Sequence, residues 1–366
     1  MSLPARRLKI VLLQDYLRMG GTERQTLSLS RAFILAGHEV GLVLFRPGGP
    51  LLPDVHPAVQ LLPLQPFDSG LDWFAPRLIA ALRRWSPDII MPMGLMANCH
   101  AARFPSALPS SSVVATVSTG DAQPWLHRRA LRGAAAVVTN SARTTDRVCR
   151  DYRLDPRKVH TIHNAVATPP ACPPGARERL RRELSASDHT VVLLCTAMFR
   201  PLKGHRRLIE AAARLPADLP WALWLAGEGC VRPAAERLAR QLGVEDRVRF
   251  LGLRRDTTEL CAAADVAVLA SESESLPNFL VEAQWHGLPV VACDVAGVQE
   301  TFIPGASGLL VEPGDTPALA AALRRIATDA DLRGSLAAAA GTHARSCFDP
   351  DQQNARYLAL FQNLRL

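Results

Sequence analysis

The sequence lacks the patterns that mark several classes of protein. Its eight cysteines form no C-x-x-C pair, and its histidines form no H-x-x-x-H or H-E-x-x-H pair, which argues against a disulfide or zinc framework. No stretch approaches the roughly 18 uncharged apolar residues of a transmembrane helix. Four apolar residues from Ile10 are followed by Gln14 and Asp15, so this segment predicts a first strand and not a secretory signal. We interpret the cysteines as reduced core thiols of a cytoplasmic protein.

Two common phosphate-binding motifs are also missing from the first strand-to-helix turn. Neither G-x-G-x-x-G nor G-x-x-x-x-G-K-[ST] is present there, so dinucleotide-binding and P-loop interpretations lose support. The turn does contain Gly20 and Gly21, and glycine backbone with free N–H groups at a helix start suits a diphosphate. A glycine-rich turn is often only a tight turn, and this pair alone is a weak signal.

The sequence pattern predicts two doubly wound parallel-sheet α/β domains. The chain has 366 residues, 48% hydrophobic and 21% charged, enough for two sizeable cores. Short β-branched runs alternate with helical patterns in both halves. In the first half, strands are predicted at residues 9–13, 39–45, 89–92, 113–118 and 135–140, with a helix at 22–36 closed by Gly37. In the second half, strands are predicted at residues 190–196, 222–226, 248–251, 266–270, 289–293 and 308–311.

Four prolines between residues 164 and 175 interrupt the pattern and predict an interdomain linker. We predict an N-terminal domain at residues 1–168, a linker at 169–185, a C-terminal Rossmann-like domain at 186–348 and a terminal helix at 349–366. That helix, with Tyr357, Leu360, Phe361 and Leu364 on one face, is expected to return to the first domain. Ligands of open α/β sheets bind at the carboxyl ends of the strands, so we expect the active site there, in a cleft between the domains.

Charge is distributed unevenly along the chain. Residues 1–170 contain 20 Lys and Arg against 11 Asp and Glu, which leaves 22 against 23 in the remainder. The surplus predicts an acidic partner for the first half, such as anionic lipid head groups, a phosphorylated acceptor or nucleic acid, although a solvated arginine-rich surface is an equal alternative. No interleaved aromatic or RNA-binding motif supports nucleic acid. Arg128, Arg129 and Arg132 on one helical stretch are candidate contacts for an anionic membrane surface.

Two cations follow the first predicted strand of the second half. Arg200 and Lys203 lie in the segment F-R-P-L-K-G-H, ahead of a helix predicted at residues 206–214. Fixed cations at a strand end neutralise phosphates, arginine through its planar fork and lysine as a point charge. A solvated basic turn is the alternative interpretation.

Two carboxylates flank a possible anion seat after strand 266–270. Glu274 lies in the loop and Glu282 lies one turn into a helix that Asn278 could cap. Between them, the backbone N–H groups of residues 276–279 could hold an anion, while each carboxylate could accept hydroxyl groups. Alternatively, Glu282 merely complements the helix dipole.

In combination, the motifs of this chain resemble glycosyltransferase family four, over nearly its whole length. In chain order they are Gly20-Gly21-Thr22-Glu23-Arg24, Asn140-Ser141, Ile162-His163-Asn164, Lys203-Gly204-His205, Ala226-Gly227-Glu228-Gly229, Phe250-Leu251-Gly252, Ala264-Asp265-Val266, the E-x7-E stretch and Ala296-Gly297-Val298-Gln299-Glu300. The resemblance implies a GT-B fold with two Rossmann-like domains, retention of anomeric configuration and use of a nucleotide sugar without a metal or other cofactor.

The resemblance also implies roles for individual residues. Glu274 would bind hydroxyls of the donor sugar, Glu282 would hold the ribose, and Lys203 would neutralise the β-phosphate. Many members have an arginine where this chain has Met198, and Arg200 is expected to replace it. The backbone of Leu276, Pro277 and Asn278 would receive the diphosphate, and Leu253 or Arg254 would lie near the base.

The chain departs from the family pattern in the first domain. Many relatives have a histidine after the fourth strand, where this sequence reads T-V-S-T-G-D from residue 116. Ser118, Thr119 or Asp121 is expected to do its orienting work on the acceptor side, since His127 lies too far along. Two D-x-D matches, at residues 329–331 and 349–351, fall in polar connections away from a strand end, so we expect no metal site there.

The predicted function is transfer of a hexose from a nucleotide diphosphate sugar, UDP in preference to GDP, to an acceptor hydroxyl in cell-surface glycan or glycolipid biosynthesis. The predicted partners are the nucleotide sugar, an acceptor glycan or lipid-linked glycan and an anionic membrane surface, without nucleic acid. The expected location is the cytoplasm, including the inner face of the membrane. A noncatalytic nucleotide-sugar-binding protein and a GT-B sugar-nucleotide epimerase are the alternatives.

Overall fold

The computed structural model describes residues 6–118, 123–164, 166 and 170–365. Contacts divide the chain into two compact units. The first unit comprises Met1–Ala167 with Pro350–Leu366, and the second comprises Thr168–Asp349. Each unit contains one parallel sheet, covered by helices, which is the doubly wound α/β fold expected from the alternating pattern.

The first unit contains a seven-stranded sheet. Its strands are β1 (Lys9–Gln14), β2 (Glu39–Leu44), β3 (Gln60–Pro63), β4 (Ile89–Pro92), β5 (Ser112–Val117), β6 (Ala136–Thr139) and β7 (Val159–Thr161). They are ordered β3-β2-β1-β4-β5-β6-β7 and all pairs are parallel. The pattern missed β3 and β7, the two edge strands, because β3 is mostly exposed and β7 has only three residues.

The second unit contains a six-stranded parallel sheet. Its strands are β8 (Val191–Thr196), β9 (Trp221–Ala226), β10 (Val248–Gly252), β11 (Val266–Leu269), β12 (Val290–Cys293) and β13 (Gly308–Val311). They are ordered β10-β9-β8-β11-β12-β13. All six were predicted, because five of them are apolar runs whose buried side chains fill one continuous core.

Helices connect the strands in both units. They are α1 (Gly21–Leu35), α2 (Leu78–Trp85), α3 (Leu95–Ala101), α4 (Phe104–Ala107), α5 (Trp125–Gly133), α6 (Ala142–Tyr152), α7 (Ala176–Glu183), α8 (His205–Ala212), α9 (Arg232–Gln241), α10 (Thr257–Ala263), α11 (Asn278–Trp285), α12 (Thr316–Thr328), α13 (Ala330–Cys347) and α14 (Pro350–Asn363). No helix in the described ranges combines the length and the apolar character needed to cross a bilayer.

Helix α1 shows how local sequence sets an element and its packing. It ends at Leu35, and the Ala36 cap is followed by Gly37, which has a φ of +85°. The N–H of Gly37 donates to Ile34 O, and the next N–H donates to Phe33 O, which is the paired bonding of a Schellman cap. The ring of Phe33 is fully buried and lies edge-on to Phe361 of α14, with centroids 5.3 Å apart. Helix α14 therefore packs on the first unit.

Two sequence expectations about side chains were wrong. The eight cysteines are free, but only Cys195, Cys261 and Cys293 are buried, while Cys230 and Cys347 are exposed. The expectation of core thiols holds for Cys195 and Cys293 in strands β8 and β12 and for Cys261 on α10, and fails for the two exposed cysteines. Asn278 does not cap α11, since Pro277 occupies the cap position and Asn278 is the first helical residue.

Candidate active site

The loops that follow β8 and β11 meet at the carboxyl edge of the second sheet. These two strands are neighbours, so their loops emerge side by side. The N–H of Glu272 donates to Leu202 O across 2.8 Å. Gly204 has a φ of +68°, and a β-carbon there would collide with the carbonyl oxygen of Ala270. Only glycine lets the two loops approach this closely.

This approach brings the two predicted donor residues into direct contact. Lys203 Nζ donates to Glu274 Oε1 at 2.6 Å, and Ser271 Oγ donates to the same oxygen at 2.7 Å. The Glu274 side chain is 10% exposed and that of Lys203 is 27% exposed, so the ion pair lies at the margin of solvent. The ammonium group has three donors and the carboxylate a second oxygen, which leaves both groups able to bind a ligand.

A second close approach fixes the backbone that would receive the diphosphate. Gly297, in the loop after β12, has a φ of +76°, and a β-carbon there would collide with Ser275 O. Leu276 and Pro277 are buried beside this contact, and α11 starts at the following residue. The segment between the two glutamates is therefore held from one side by the loop after β12.

The loop after β9 supports the loop after β8 from the other side. Ala197 N–H donates to Ala226 O, and Phe199 N–H donates to Glu228 O, at 3.0 and 2.9 Å. The Phe199 ring stacks on His205 with centroids 3.9 Å apart, and both residues are buried. Burial lowers the pKa of His205 to about 4, so this imidazole is neutral near pH 7 and acts as a packing element.

The other predicted donor residues are distributed around this pair. Arg200 is exposed, and its side chain makes no hydrogen bond or ion pair with the described residues, so the guanidinium does not join Lys203 and Glu274. Glu282 is half-buried on α11. Burial raises the pKa of the Cys261 thiol, and the negative charge of Glu282 raises it further. Leu253 is exposed at the end of β10, whereas Arg254 donates two hydrogen bonds to Asp256, at 2.8 and 2.5 Å. Of the two candidates near the base, Leu253 is the one exposed to a ligand.

In the first unit, the predicted glycine turn and acceptor-side residues come together. Gly20 is the cap residue of α1, and the Glu23 carboxylate folds back over it, so the helix start already has an anion of its own. Thr22 Oγ1 lies 3.4 Å from Ser118 Oγ, which joins the end of β5 to the start of α1. Thr119 and Asp121, the other acceptor-side candidates, lie outside the described residues.

Comparison with known proteins decides the family. Residues 19–168 match the family described as Glycosyltransferase Family 4, and residues 190–329 match Glycosyl transferases group 1. The lipopolysaccharide core biosynthesis glycosyltransferase LpsE of Rhizobium meliloti is 31% identical over 324 residues, covering 87% of this chain and 88% of the relative. LpsD of the same organism is 30% identical over 354 residues, covering 93% and 95%.

The chain belongs to the family 4 (group 1) glycosyltransferases. Its fold is GT-B: the crystal structure of Anabaena HepE in complex with UDP and glucose matches with a TM-score of 0.84, covering 98% of this chain and 100% of that one at 23% identity. The expected family and fold are thereby confirmed, and the chain is a glycosyltransferase. The roles of individual residues stay predictions.

Sequence reasoning missed two residues that organise this glycosyltransferase's sites. Ser271 shares Glu274 with Lys203, and its position between a strand end and the glutamate was the available signal. Asn98 is buried in the first unit, where its amide donates to Pro92 O and Gly94 O, and its carbonyl accepts from Thr116 N–H. It joins the carboxyl ends of β4 and β5, and only its polarity within an apolar helix could have revealed it.

His127 lies closer to the acceptor side than its sequence position suggested. Its Nε2 lies 3.2 Å from Thr116 O, two residues before Ser118. The side chain is buried, and burial lowers the pKa of His127 to about 4. It supports the end of β5 as a neutral ring within the core and not as an exposed ligand.

Side chains of the types that bind metal ions do not form a cluster in the described parts of this glycosyltransferase. No group of three His, Cys, Asp or Glu is arranged there as a metal site would require. Of the two D-x-D matches, the first begins at Asp329, which caps α13 by accepting from Leu332 N–H at 2.9 Å. The second spans the start of α14.

Proposed function

We propose that this glycosyltransferase moves a hexose from a UDP-sugar to an acceptor hydroxyl, with retention of anomeric configuration, in the synthesis of a cell-surface glycan or glycolipid. The ion pair of Lys203 with Glu274 carries the proposal. The pair places a cation and a hydroxyl acceptor at the ends of adjacent strands. A sugar diphosphate needs the cation for its phosphates and the acceptor for its sugar hydroxyls. The UDP-bound and UDP-glucose-bound crystal structures of Anabaena HepE and the lipopolysaccharide roles named for LpsE and LpsD support the choice of donor and pathway class.

The Lys203–Glu274 pair also explains how the donor site can stay ordered before the donor arrives. Each group neutralises the other, so neither is left as an uncompensated charge in a half-buried position. A diphosphate that approaches Lys203 reduces its attraction for Glu274, and hydroxyls of the attached sugar would then satisfy the carboxylate. Phosphate and sugar binding are coupled through this pair. A UDP-sugar is therefore expected to bind more tightly than UDP alone.

The proposed transfer is a front-face substitution, in which the acceptor attacks from the side that the diphosphate leaves. The bond between the anomeric carbon and the diphosphate oxygen breaks as the acceptor oxygen forms a bond to that carbon. The acceptor proton passes to the departing phosphate oxygen. Lys203 and Arg200 would stabilise the negative charge that develops on the diphosphate, and we propose that they do so without a metal ion or other cofactor.

The acceptor is proposed to be a glycan or a lipid-linked glycan at an anionic membrane surface. The first unit contains 22 Lys and Arg against 12 Asp and Glu, whereas the second contains 20 against 22. Two of the predicted contacts have other bonding partners: Arg128 donates to Gln123 O at 2.7 Å, and Arg132 donates to Tyr152 O at 3.5 Å. Arg129 is exposed, with its guanidinium near the Trp125 ring.

A donor panel tests the proposal. Calorimetry and hydrolysis assays with UDP-glucose, UDP-galactose, UDP-N-acetylglucosamine and GDP-mannose should show binding and slow hydrolysis of one UDP-sugar. Proton NMR of the transferred sugar should show the anomeric configuration of the donor. Binding without any turnover would favour the noncatalytic alternative, and conversion of the donor to an isomeric sugar nucleotide would favour the epimerase. A GDP-sugar as the sole ligand would contradict the choice of base.

A further inference from the structure

The first unit exposes aromatic side chains that its core does not need. In the parts of the chain that the structure describes, the exposed large aromatic residues are Phe67, Trp73, Phe74 and Trp125, and all four belong to this unit. Three of them lie in the aromatic loop, residues 64–77, between β3 and α2. Phe67 is 70% exposed and Trp73 is 59% exposed, beside exposed Leu71. Exposed large apolar side chains grouped in one short loop are typical of a surface that contacts a protein or a membrane.

The aromatic loop is held rigid by one buried side chain. Gln65 is buried, and its amide nitrogen donates to Leu71 O and Phe74 O, at 2.9 and 2.6 Å. Its amide oxygen accepts from Ser69 Oγ at 2.6 Å. His100 of α3 bonds the backbone carbonyl of Trp73 at 2.8 Å. The aromatic rings are thus presented by a fixed backbone, so their exposure does not result from a loose loop.

The loop's own negative charges are neutralised within it. Arg46 donates to both Asp68 and Asp72, at 2.7 Å each, and Arg18 donates to Asp72 at 2.6 Å. Arg46 holds the pKa of Asp68 down to about 2, so this carboxylate is ionised near pH 7. No uncompensated carboxylate of the loop would repel an anionic surface.

The helices that follow the loop add positive charge on the same side of the sheet. Residues of α2, α3, α4, α5 and α6 pack into one core cluster on this side, while α1 and α14 pack on the other. From residue 78 to residue 152, the span from α2 to α6, the sequence contains nine arginines against four aspartates, without lysine or glutamate. Arg77 is exposed at the end of the aromatic loop. Arg103 is also exposed and bonds His100, the residue that bonds the carbonyl oxygen of Trp73. Aromatic rings beside a basic surface suit the interface of an anionic bilayer.

We propose that the aromatic loop inserts Phe67 and Trp73 into the interface of an anionic lipid bilayer, with Arg77 and Arg103 against the head groups. This deepens the membrane part of the proposed function and needs neither donor nor acceptor. A second copy of the chain fits less well, because two arginine-rich faces would repel one another. A neutral sugar could stack on one ring, but it would leave the others exposed.

Flotation with lipid vesicles tests the surface on the full chain. Vesicles of phosphatidylcholine with phosphatidylglycerol at a ratio of 7:3 should bind the wild type at least tenfold better than pure phosphatidylcholine. The double variant Phe67→Ser/Trp73→Ser should lose at least tenfold in partitioning. The matched control is Leu35→Ser, because Leu35 is 71% exposed in the same unit but lies on α1, over the other side of the sheet. It should stay within twofold of the wild type.

Two further measurements separate insertion from simple charge attraction. Arg77→Gln/Arg103→Gln should reduce binding severalfold at low salt and little at high salt, since screening already removes that attraction. Lipids with brominated acyl chains should quench wild-type fluorescence more than that of Trp73→Phe, because Trp73 would sit among the chains.

The proposal is overturned if the wild type does not prefer anionic vesicles, or if Phe67→Ser/Trp73→Ser partitions as the wild type does. It is also overturned if that variant only dissociates a dimer seen by analytical ultracentrifugation, which would make the loop a contact between copies. UDP binding, measured by calorimetry on the same variants, reports the donor site separately. If UDP binding is absent while vesicle binding is normal, the proposed UDP-sugar donor is contradicted and the membrane surface is not.

Discussion

The two units are built on the same plan but put their chemistry in different places. In the second unit, the distinctive groups are charged, few and mutually paired at the carboxyl edge of the sheet, as Lys203, Glu274 and Ser271 show. In the first unit, the distinctive groups are exposed arginines and aromatic rings over one side of the sheet. A parallel sheet supplies the scaffold in both cases, and the loops decide whether a unit presents a small polar site or a broad surface.

Both units use glycine for tight contacts between loops, but only in the second do such contacts lie beside the paired charges. Gly204 and Gly297 allow backbone approaches in the second unit that no other residue would permit. In the first unit, a β-carbon on Gly49 would lie 2.5 Å from Leu17 O, whereas one on Gly94, in the turn after β4, would lie 3.6 Å from its nearest neighbours, in ordinary contact. A small site that places a cation and an anion within hydrogen-bonding distance needs the precision of such close approaches.

We expect the largest effect from a substitution that removes the charge of Glu274 from the polar site. Glu274→Gln keeps the side-chain shape but removes the charge that pairs with Lys203 and accepts sugar hydroxyls. We expect kcat/KM for transfer to fall roughly hundredfold, about 2.7 kcal/mol, while the fold persists. The control is Glu272→Gln in the same loop, which pairs with Arg207 instead and should retain activity. Transfer by Glu274→Gln within about threefold of the wild type would remove this residue from the donor site.

Alanine substitutions of Gly204 and Gly94 compare how much each loop contributes to the free energy of unfolding. Gly204→Ala would place a β-carbon against Ala270 O at a positive φ, so it should lower the free energy of unfolding by about 2 to 3 kcal/mol and weaken UDP binding. Gly94→Ala in the first unit should cost less than about 1 kcal/mol, since the space there is open and φ is −138°. Urea denaturation of both variants measures this. Equal losses would show that loop contact does not distinguish the two turns.

Removing the cation tests whether the pair couples phosphate to sugar. Lys203→Met should weaken UDP binding roughly thirtyfold, about 2 kcal/mol, because a phosphate partner is lost and Glu274 is left unpaired. Arg206→Met is the matched control, since that arginine is exposed and pairs with Glu210. Calorimetry with UDP and with a UDP-sugar checks both. If Lys203→Met binds UDP as the wild type does, the phosphate contact belongs elsewhere.

The buried histidine of the second unit gives a pH-dependent effect. The pKa of His205 is lowered from 6.5 to about 4 by burial, so the unfolded chain binds its proton more readily. This contribution to stability is complete above pH 6.5 and falls as the pH drops toward 4. His205→Phe, which keeps a ring against Phe199, should reduce the slope of unfolding free energy by about 1.4 kcal/mol per pH unit in that window. An unchanged slope between pH 6.5 and pH 4.5 would show that His205 keeps its ordinary pKa.

The smallest expected effect is that of metal removal. If Arg200 and Lys203 supply the positive charge at the diphosphate, transfer after treatment with EDTA should stay within the error of the assay. Complete loss that manganese restores would contradict the metal-free proposal and would call for metal ligands other than these cations.

Local sequence was sufficient for much of the fold. Apolar β-branched runs located all six strands of the second unit and five of the seven in the first, because a buried parallel strand needs little beyond such a run. The edge strands β3 and β7 escaped, since β3 is mostly exposed and β7 has only three residues. The cysteines of loops and helix ends were misjudged for a related reason: exposure depends on what packs over a residue.

The sequence by itself determined the fold class, the family motifs and the candidate polar residues, since these follow from residue types at fixed local spacing. Only the tertiary structure decided that Lys203 bonds Glu274, 71 residues away, and that Ser271 shares the same oxygen. It also decided that the rings of the aromatic loop point outward from a backbone held by Gln65. The physical reason is that sheet order makes β8 and β11 neighbours, and strand neighbours are chosen by packing over the whole unit, which no local pattern records.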